Sequence, residues 1–216
     1  MNQKYTFLYA LILTLVIFNL GIFMGYMLES SRIDKINSFY LSAEMGLLDQ
    51  IIQKDSMEIL NLNCDSLVQE NIKFGDDIFK EAQIIQKYEE ANRINENIIF
   101  QHKRFDLLRA LFWINSIKIQ QKCNPDYHNL VYLYKYNNPS IEQESKQKFF
   151  SNLLGELKTK FGSNLMLIPI AADNDISSID LLVEKYNVNE LPAILIDETY
   201  LITEVENKED IEKYLV

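Results

Sequence analysis

Glycine and proline are scarce, six and four among 216 residues, and cysteine and histidine occur only twice each. Few helix breakers together with 12% aromatic residues exclude a disordered or low-complexity chain. Neither Cys64 nor Cys123 lies in a CxxC or in ligand spacing with a histidine, so no metal site and no cofactor is expected. His102 falls in a helical pattern and His128 just before a strand, and each reads as structural or solvated rather than catalytic. Positive charge is also in deficit. The formal net charge is -10, and from Pro125 onward acidic residues outnumber basic ones about two to one. A nucleic-acid or anionic-lipid partner is excluded on that balance.

Charge is missing altogether from Phe7 to Leu28, FLYALILTLVIFNLGIFMGYML, where Thr14 and Asn19 are the only polar side chains besides tyrosine. As a helix this run extends roughly 33 Å, enough to cross a hydrocarbon core of about 30 Å. It is longer than the roughly 7–15 residues of a signal-peptide core, and its GYMLESS exit lacks a small-x-small cleavage pattern, so an uncleaved anchor over residues 1–28 is expected. Gly21 and Gly25 form a GxxxG, the spacing that lets two membrane helices approach closely.

Residues 29–124 read as a helical, coiled-coil-like domain. Ile33, Ile36, Tyr40, Ala43, Leu47 and Ile51 recur at spacings of three and four along a first helix that reaches about Asp55. That stripe serves either a three-helix bundle within one chain or a parallel homodimer through Gly21, Gly25 and helix one. A second helix, capped by Asp65 or Ser66, carries Leu67, Phe74, Ile78, Ala82 and Ile85; a third, from near Ile98, carries Phe105, Leu108, Leu111, Phe112 and Ile119. The two are nearly equal in length and meet at Asn92, Asn95 and Asn97, which favour a turn. An antiparallel hairpin then brings its open ends together, and those ends are Cys64 and Cys123. The spacing places the two thiols to meet, either as a disulfide in an oxidising compartment or as two buried cysteines in a reducing one. Base count around the span leaves orientation open, with Lys4 before it and Arg32 and Lys35 after it. The cysteines and the short amino-terminal flank favour an extracytosolic bulk.

After the NPDY linker the periodicity changes, and residues 125–216 read as an α/β domain. Leu130–Tyr136 predicts a strand, Ser140 and Gln143 a capping box opening a helix that Gly162 closes, and Leu165–Ala171 a second strand. A short helix over Ile179–Tyr186, strands over Ala193–Ile196 and Tyr200–Val205, and a last helix over Lys208–Tyr214 follow. Asp173, Asn174 and Asp175 lack the glycine and distal glutamate of a calcium loop, and read as a strand end that caps the next helix. Trp113 reads as core.

The order strand, helix, strand, helix, strand, strand, helix resembles the minimal thioredoxin fold, and KYNVNELPAILID over Lys185–Asp197 is similar to that family's approach to its third strand. The resemblance implies that Pro192 holds the place of the family's cis-proline. It also implies that Asn138 and Ile141 stand where the CxxC cysteines of an active member would be, so thiol–disulfide exchange is expected to be absent. By the same resemblance Asn138, Pro139, Leu191 and Pro192 line a groove for extended peptide. Ser140 as a nucleophile finds no His or Lys nearby, and capping explains it better. Three functions are carried forward: a membrane-anchored, redox-inactive module for a protein or peptide partner; a membrane-bound redox component using Cys64 and Cys123; and a structural scaffold of a membrane complex.

Overall fold

The computed structural model describes residues 3–60, 63–91 and 96–215. They divide into two compact units, one up to Ser42 and one from Ala43 onward. Helix α1 runs over Gln3–Leu60, past the expected end near Asp55. Within the first unit Phe7–Ser31 is long and apolar enough to cross a membrane, and none of its window is buried. Thr14 Oγ1 donates to the Ala10 carbonyl at 2.9 Å and Asn19 Nδ2 to the Leu15 carbonyl at 2.7 Å. A Cβ added at Gly21 or Gly25 would meet nothing within 4 Å. The side chains of Ile33, Ile36, Tyr40, Ala43 and Leu47 lie outside the described residues.

In the second unit, α2 (Cys64–Ala91) and α3 (Glu96–Cys123) are two arms of 28 residues each, packed on one another and joined at their open ends by a Cys64–Cys123 disulfide. The S–S distance is 2.07 Å and the Cα atoms are 5.4 Å apart. Of the expected turn residues, Asn92 and Asn95 lie outside the described residues, as do the side chains of Asn97 and Ile85. Two expectations are corrected. The Asp65 N–H is met by the Asn63 carboxamide at 3.1 Å, so Asn63 supplies the cap and not Asp65 or Ser66. Leu111 is 38% exposed, whereas Phe105, Leu108, Phe112 and Ile119 are buried as expected.

Strands β1 (His128–Tyr134), β2 (Leu165–Ala171), β3 (Ala193–Ile196) and β4 (Tyr200–Ile202) form one mixed sheet in the order β2-β1-β3-β4. β1 and β2 are parallel, in the register His128↔Leu165 to Tyr134↔Ala171; β3 is antiparallel to both β1 and β4. Parallel neighbours need a crossover, which α4 (Ile141–Phe161) supplies. The Ser140–Gln143 capping box opens α4 as expected, and Gly162 closes it at φ 56°, a left-handed value that glycine takes without a Cβ clash. Helices α5 (Ser177–Lys185) and α6 (Glu209–Glu212) complete the unit, and β4 stops at Ile202, short of the expected Val205.

Side chains alternate across the sheet, which divides its core in two. Leu130 and Tyr132 of β1, Leu165 and Leu167 of β2, and Ile194 and Ile196 of β3 form one cluster with Phe150, Leu154 and Leu157 of α4 and Ile211 of α6. Residues of the other parity meet the hairpin. Asn129 bonds to Ser116 and Gln120 of α3, and a Cβ at Gly75 of α2 would strike Met166 Sδ at 2.8 Å. The hairpin therefore serves as one cover of the sheet. Buried Lys158 of α4 ties the layers at the edge: its ammonium donates to Asp76 of α2 at 2.7 Å and to the carbonyls of Gly162 and Leu165 at 2.9 and 2.7 Å.

Candidate functional site

In open α/β sheets the loops at the carboxyl ends of parallel strands carry ligand sites, because helix starts and free loop backbone converge there. Here those loops are residues 135–140 after β1 and 172–176 after β2. The pairing Leu133↔Ala193 brings Pro192 to the same end, just beyond the ladder. The Leu191–Pro192 peptide bond is cis. Of the expected groove residues, Asn138 is exposed with φ 48°, Pro139 and Leu191 are half-buried, and Pro192 is buried. Ile141, the first residue of α4 and two residues past Pro139, is an aliphatic side chain 87% exposed.

Loop 135–140 is held by a carboxylate that sequence reasoning assigned elsewhere. Asp173 accepts the Tyr136 and Asn137 N–H groups at 2.7 and 2.8 Å, and Asn137 Nδ2 donates back to the Asp173 carbonyl at 2.7 Å. Helix α5 has Ile176 at its cap and no side-chain cap bond, so Asp173, Asn174 and Asp175 do not cap it; two of the three brace the other loop instead. Asn137 Nδ2 also reaches Asn174 Oδ1 at 3.2 Å, and Asn174 Nδ2 donates to Asp106 Oδ2 of α3 at 2.8 Å.

Asp106 is wholly buried and carries a cluster with it. Arg109 Nη1 donates to its Oδ1 at 3.2 Å, and His102 Nε2 lies 3.2 Å from its Oδ2 and 3.0 Å from the Tyr134 hydroxyl. The His102 ring stacks on Tyr136 with centroids 3.8 Å apart. His102 thus joins the hairpin to the end of β1 and Asp106 joins it to the loop after β2, while Arg109 bonds to Asp106 and lies over the Phe105 ring of its own helix. A signal for them exists in the sequence: polar residues at positions 102, 106 and 109 follow helical spacing through the apolar stripe that holds Phe105 and Phe112. A buried carboxylate needs partners, and Arg109 of its own helix and Asn174 of the loop after β2 provide them for Asp106.

A second polar chain lies at the opposite end of β1. Asn71 Nδ2 donates to Ser116 Oγ at 3.1 Å, Ser116 Oγ to Asn129 Oδ1 at 2.7 Å, and Asn129 Nδ2 to Gln120 Oε1 at 2.7 Å. Gln120 Nε2 donates to the Tyr127 carbonyl at 3.1 Å. Burial pushes the Tyr127 hydroxyl up to about 12, against its hydrogen-bond contacts with Ser116 and Asn71, so it stays protonated, 3.4 Å from the Ser116 carbonyl that it donates to. Asp197 accepts the Asn129 N–H at 2.8 Å, and its other oxygen lies 2.6 Å from His128 Nδ1 beside an open cleft of about 430 Å³ lined by Gln120, Tyr127 and His128 among others.

Asp197 and Glu198, with φ 46° and 57°, are the two central residues of a turn within the three-residue β3–β4 connection (197–199), closed by Thr199 N–H to the Ile196 carbonyl at 3.0 Å. Positive φ at both positions is the type I′ pattern that Asn-Gly usually supplies. Glu198 is held there by the indole N–H of buried Trp113 at 2.6 Å. Burial raises its pKa, and so does Asp197, while the Trp113 and Asn129 hydrogen bonds lower it. Trp113 is core as expected, and it also clamps this turn to α3.

Cys64 and Cys123, half-buried, are bonded to each other, and neither lies in the carboxyl-end loops. The side chains recorded around that end are polar, aromatic and aliphatic, which suits recognition of backbone and apolar groups. The chain matches no protein-family model and no curated protein.

Proposed function

We propose that this protein is a membrane-anchored, thioredoxin-like interaction module that does not exchange disulfides. One observation carries the reading: the strand order β2-β1-β3-β4, with α4 crossing between parallel β1 and β2, is joined to Asn138 and Ile141 at the start of α4 where the resemblance calls for cysteines. A helix start lowers a thiolate's pKa only when a thiol is there. The Cys64–Cys123 bond supports an extracytosolic bulk, since such bonds persist in oxidising compartments. The recognition surface is the carboxyl end of β1, with Asn138, Pro139, Leu191 and Pro192 and the exposed Ile141, and its partner is an extended segment of protein.

The partial exposure of Cys64 and Cys123 favours a second reading, a reversible redox pair. An insulin-reduction assay on the full chain in nanodiscs, run beside titration with unfolded polypeptides, separates the two. The proposal expects no turnover and binding weakened about tenfold by Ile141→Asp or Leu191→Asp. Turnover abolished by Cys64→Ser, or binding indifferent to both substitutions, overturns it.

A further inference from the structure

Asn19 stands at the centre of Phe7–Ser31, twelve residues from either end. If that run crosses a bilayer, the reading on which this inference rests, the carboxamide lies near the midplane, where no water reaches it. Its Nδ2 gives one hydrogen to the Leu15 carbonyl at 2.7 Å. The second N–H hydrogen and Oδ1 have no recorded partner among the described residues. Thr14 differs, because its single hydroxyl hydrogen is already placed on the Ala10 carbonyl at 2.9 Å.

We propose that a second copy of this chain covers the Asn19 face, with the two carboxamides paired across a two-fold axis along the membrane normal. A primary amide is both donor and acceptor. A two-fold axis sets each N–H against the other copy's C=O, so one residue supplies both halves of the contact. A helix of a different protein would need a polar group of its own at that depth. Beside Asn19, Ile12, Leu15, Val16 and Leu20 line a shallow groove, and Ile12, Leu15, Ile22 and Tyr26 share its stripe, each at least 49% exposed. Every face of the span is apolar, so that stripe alone selects nothing; the amide selects the face. A single polar residue within a helical seam fixes partner and register in the same way in coiled coils.

This face is not the glycine face. At about 100° per residue, Gly21 and Gly25 lie roughly 160° and 120° around the helix from Asn19, so substitutions separate the two surfaces. The test uses the full chain carrying a donor or an acceptor fluorophore at its carboxyl terminus, reconstituted in phosphatidylcholine vesicles and followed by energy transfer as lipid dilutes the protein. Transfer is expected to survive dilution. Asn19→Leu, which leaves the span apolar, is expected to weaken association about tenfold, the scale of paired interhelical amide bonds in lipid. Asn19→Gln is expected to keep it, and Gly25→Leu to leave it unchanged. A wild-type chain monomeric in vesicles, Asn19→Leu indistinguishable from wild type, or loss only with Gly25→Leu overturns the inference. Alkaline extraction of native membranes distinguishes the failures. A chain retained there but monomeric defeats the dimer alone, and a chain released to the supernatant defeats the anchor and the dimer together.

Discussion

Glu198 concentrates the residue-scale argument. It occupies a left-handed turn position, lies under Trp113, and has its pKa raised by burial ahead of every other cause. A carboxyl group with a raised folded-state pKa binds its proton more tightly in the native chain. Its contribution is therefore complete below the ordinary value of 4.5 and is lost as pH rises through the folded value. Replacing it by Gln is expected to flatten the fall in melting temperature above about pH 4.5, read by thermal unfolding of the full chain in detergent at a series of pH values. Asp76 has the opposite sign. Burial would raise it, but the Lys158 and Ser163 hydrogen bonds win and hold it below 3.8, so its contribution is present at neutral pH and lost in acid. Neither residue was legible in the sequence as more than a solvated carboxylate. Their partners lie 82 residues away for Asp76 and 85 for Glu198, and no local pattern reports such distances. Asp173 was misread for the same reason, since the N–H groups it accepts belong to residues 136 and 137.

At the scale of elements, the hairpin and its staple were legible because they follow from arithmetic. Two arms of equal length around an asparagine cluster put Cys64 against Cys123. Closing 59 residues of chain is worth about 4 kcal/mol by loop entropy, so the double substitution Cys64→Ser, Cys123→Ser is expected to lose about that much in denaturant unfolding. The capping box of α4 and the bounds of β2 and β3 were equally local, and sequence reading reached them. What α2 and α3 do with their second faces was not local. The ion pair between buried Lys158 and partly exposed Asp76, 82 residues apart, joins the helical arm to the α/β part. Lys158→Met is expected to destabilise by about 3 kcal/mol, the low end for an orphaned partner because Asp76 keeps a 25% exposed side chain, and Asp76→Asn added to it is expected to recover part of the loss.

For the whole molecule, the proposed function gives the apolar run near the amino terminus the task of locating the chain and the α/β unit after it the task of presenting a surface. The composition announced the first plainly, since 22 successive residues without charge leave few alternatives. The α/β class was announced by the change from helical to alternating periodicity after Pro125. The brace from His102 and Asp106 through Asn174 to Asn137 was not, and it matters most for the proposed function because it ties the loop carrying Asn138 and Pro139 to the hairpin. A loop braced in this way is preorganised, and under the proposed function that lowers the entropy lost on binding. The most direct measurement is photo-crosslinking in native membranes with a photoreactive residue at position 141, compared with one at exposed Lys118 on α3. The account predicts protein adducts from 141 that persist in the Cys64→Ser, Cys123→Ser chain at a temperature where that chain remains folded, and none from 118. Adducts from 118 alone, or adducts from 141 that vanish with the cysteines under those conditions, would contradict it.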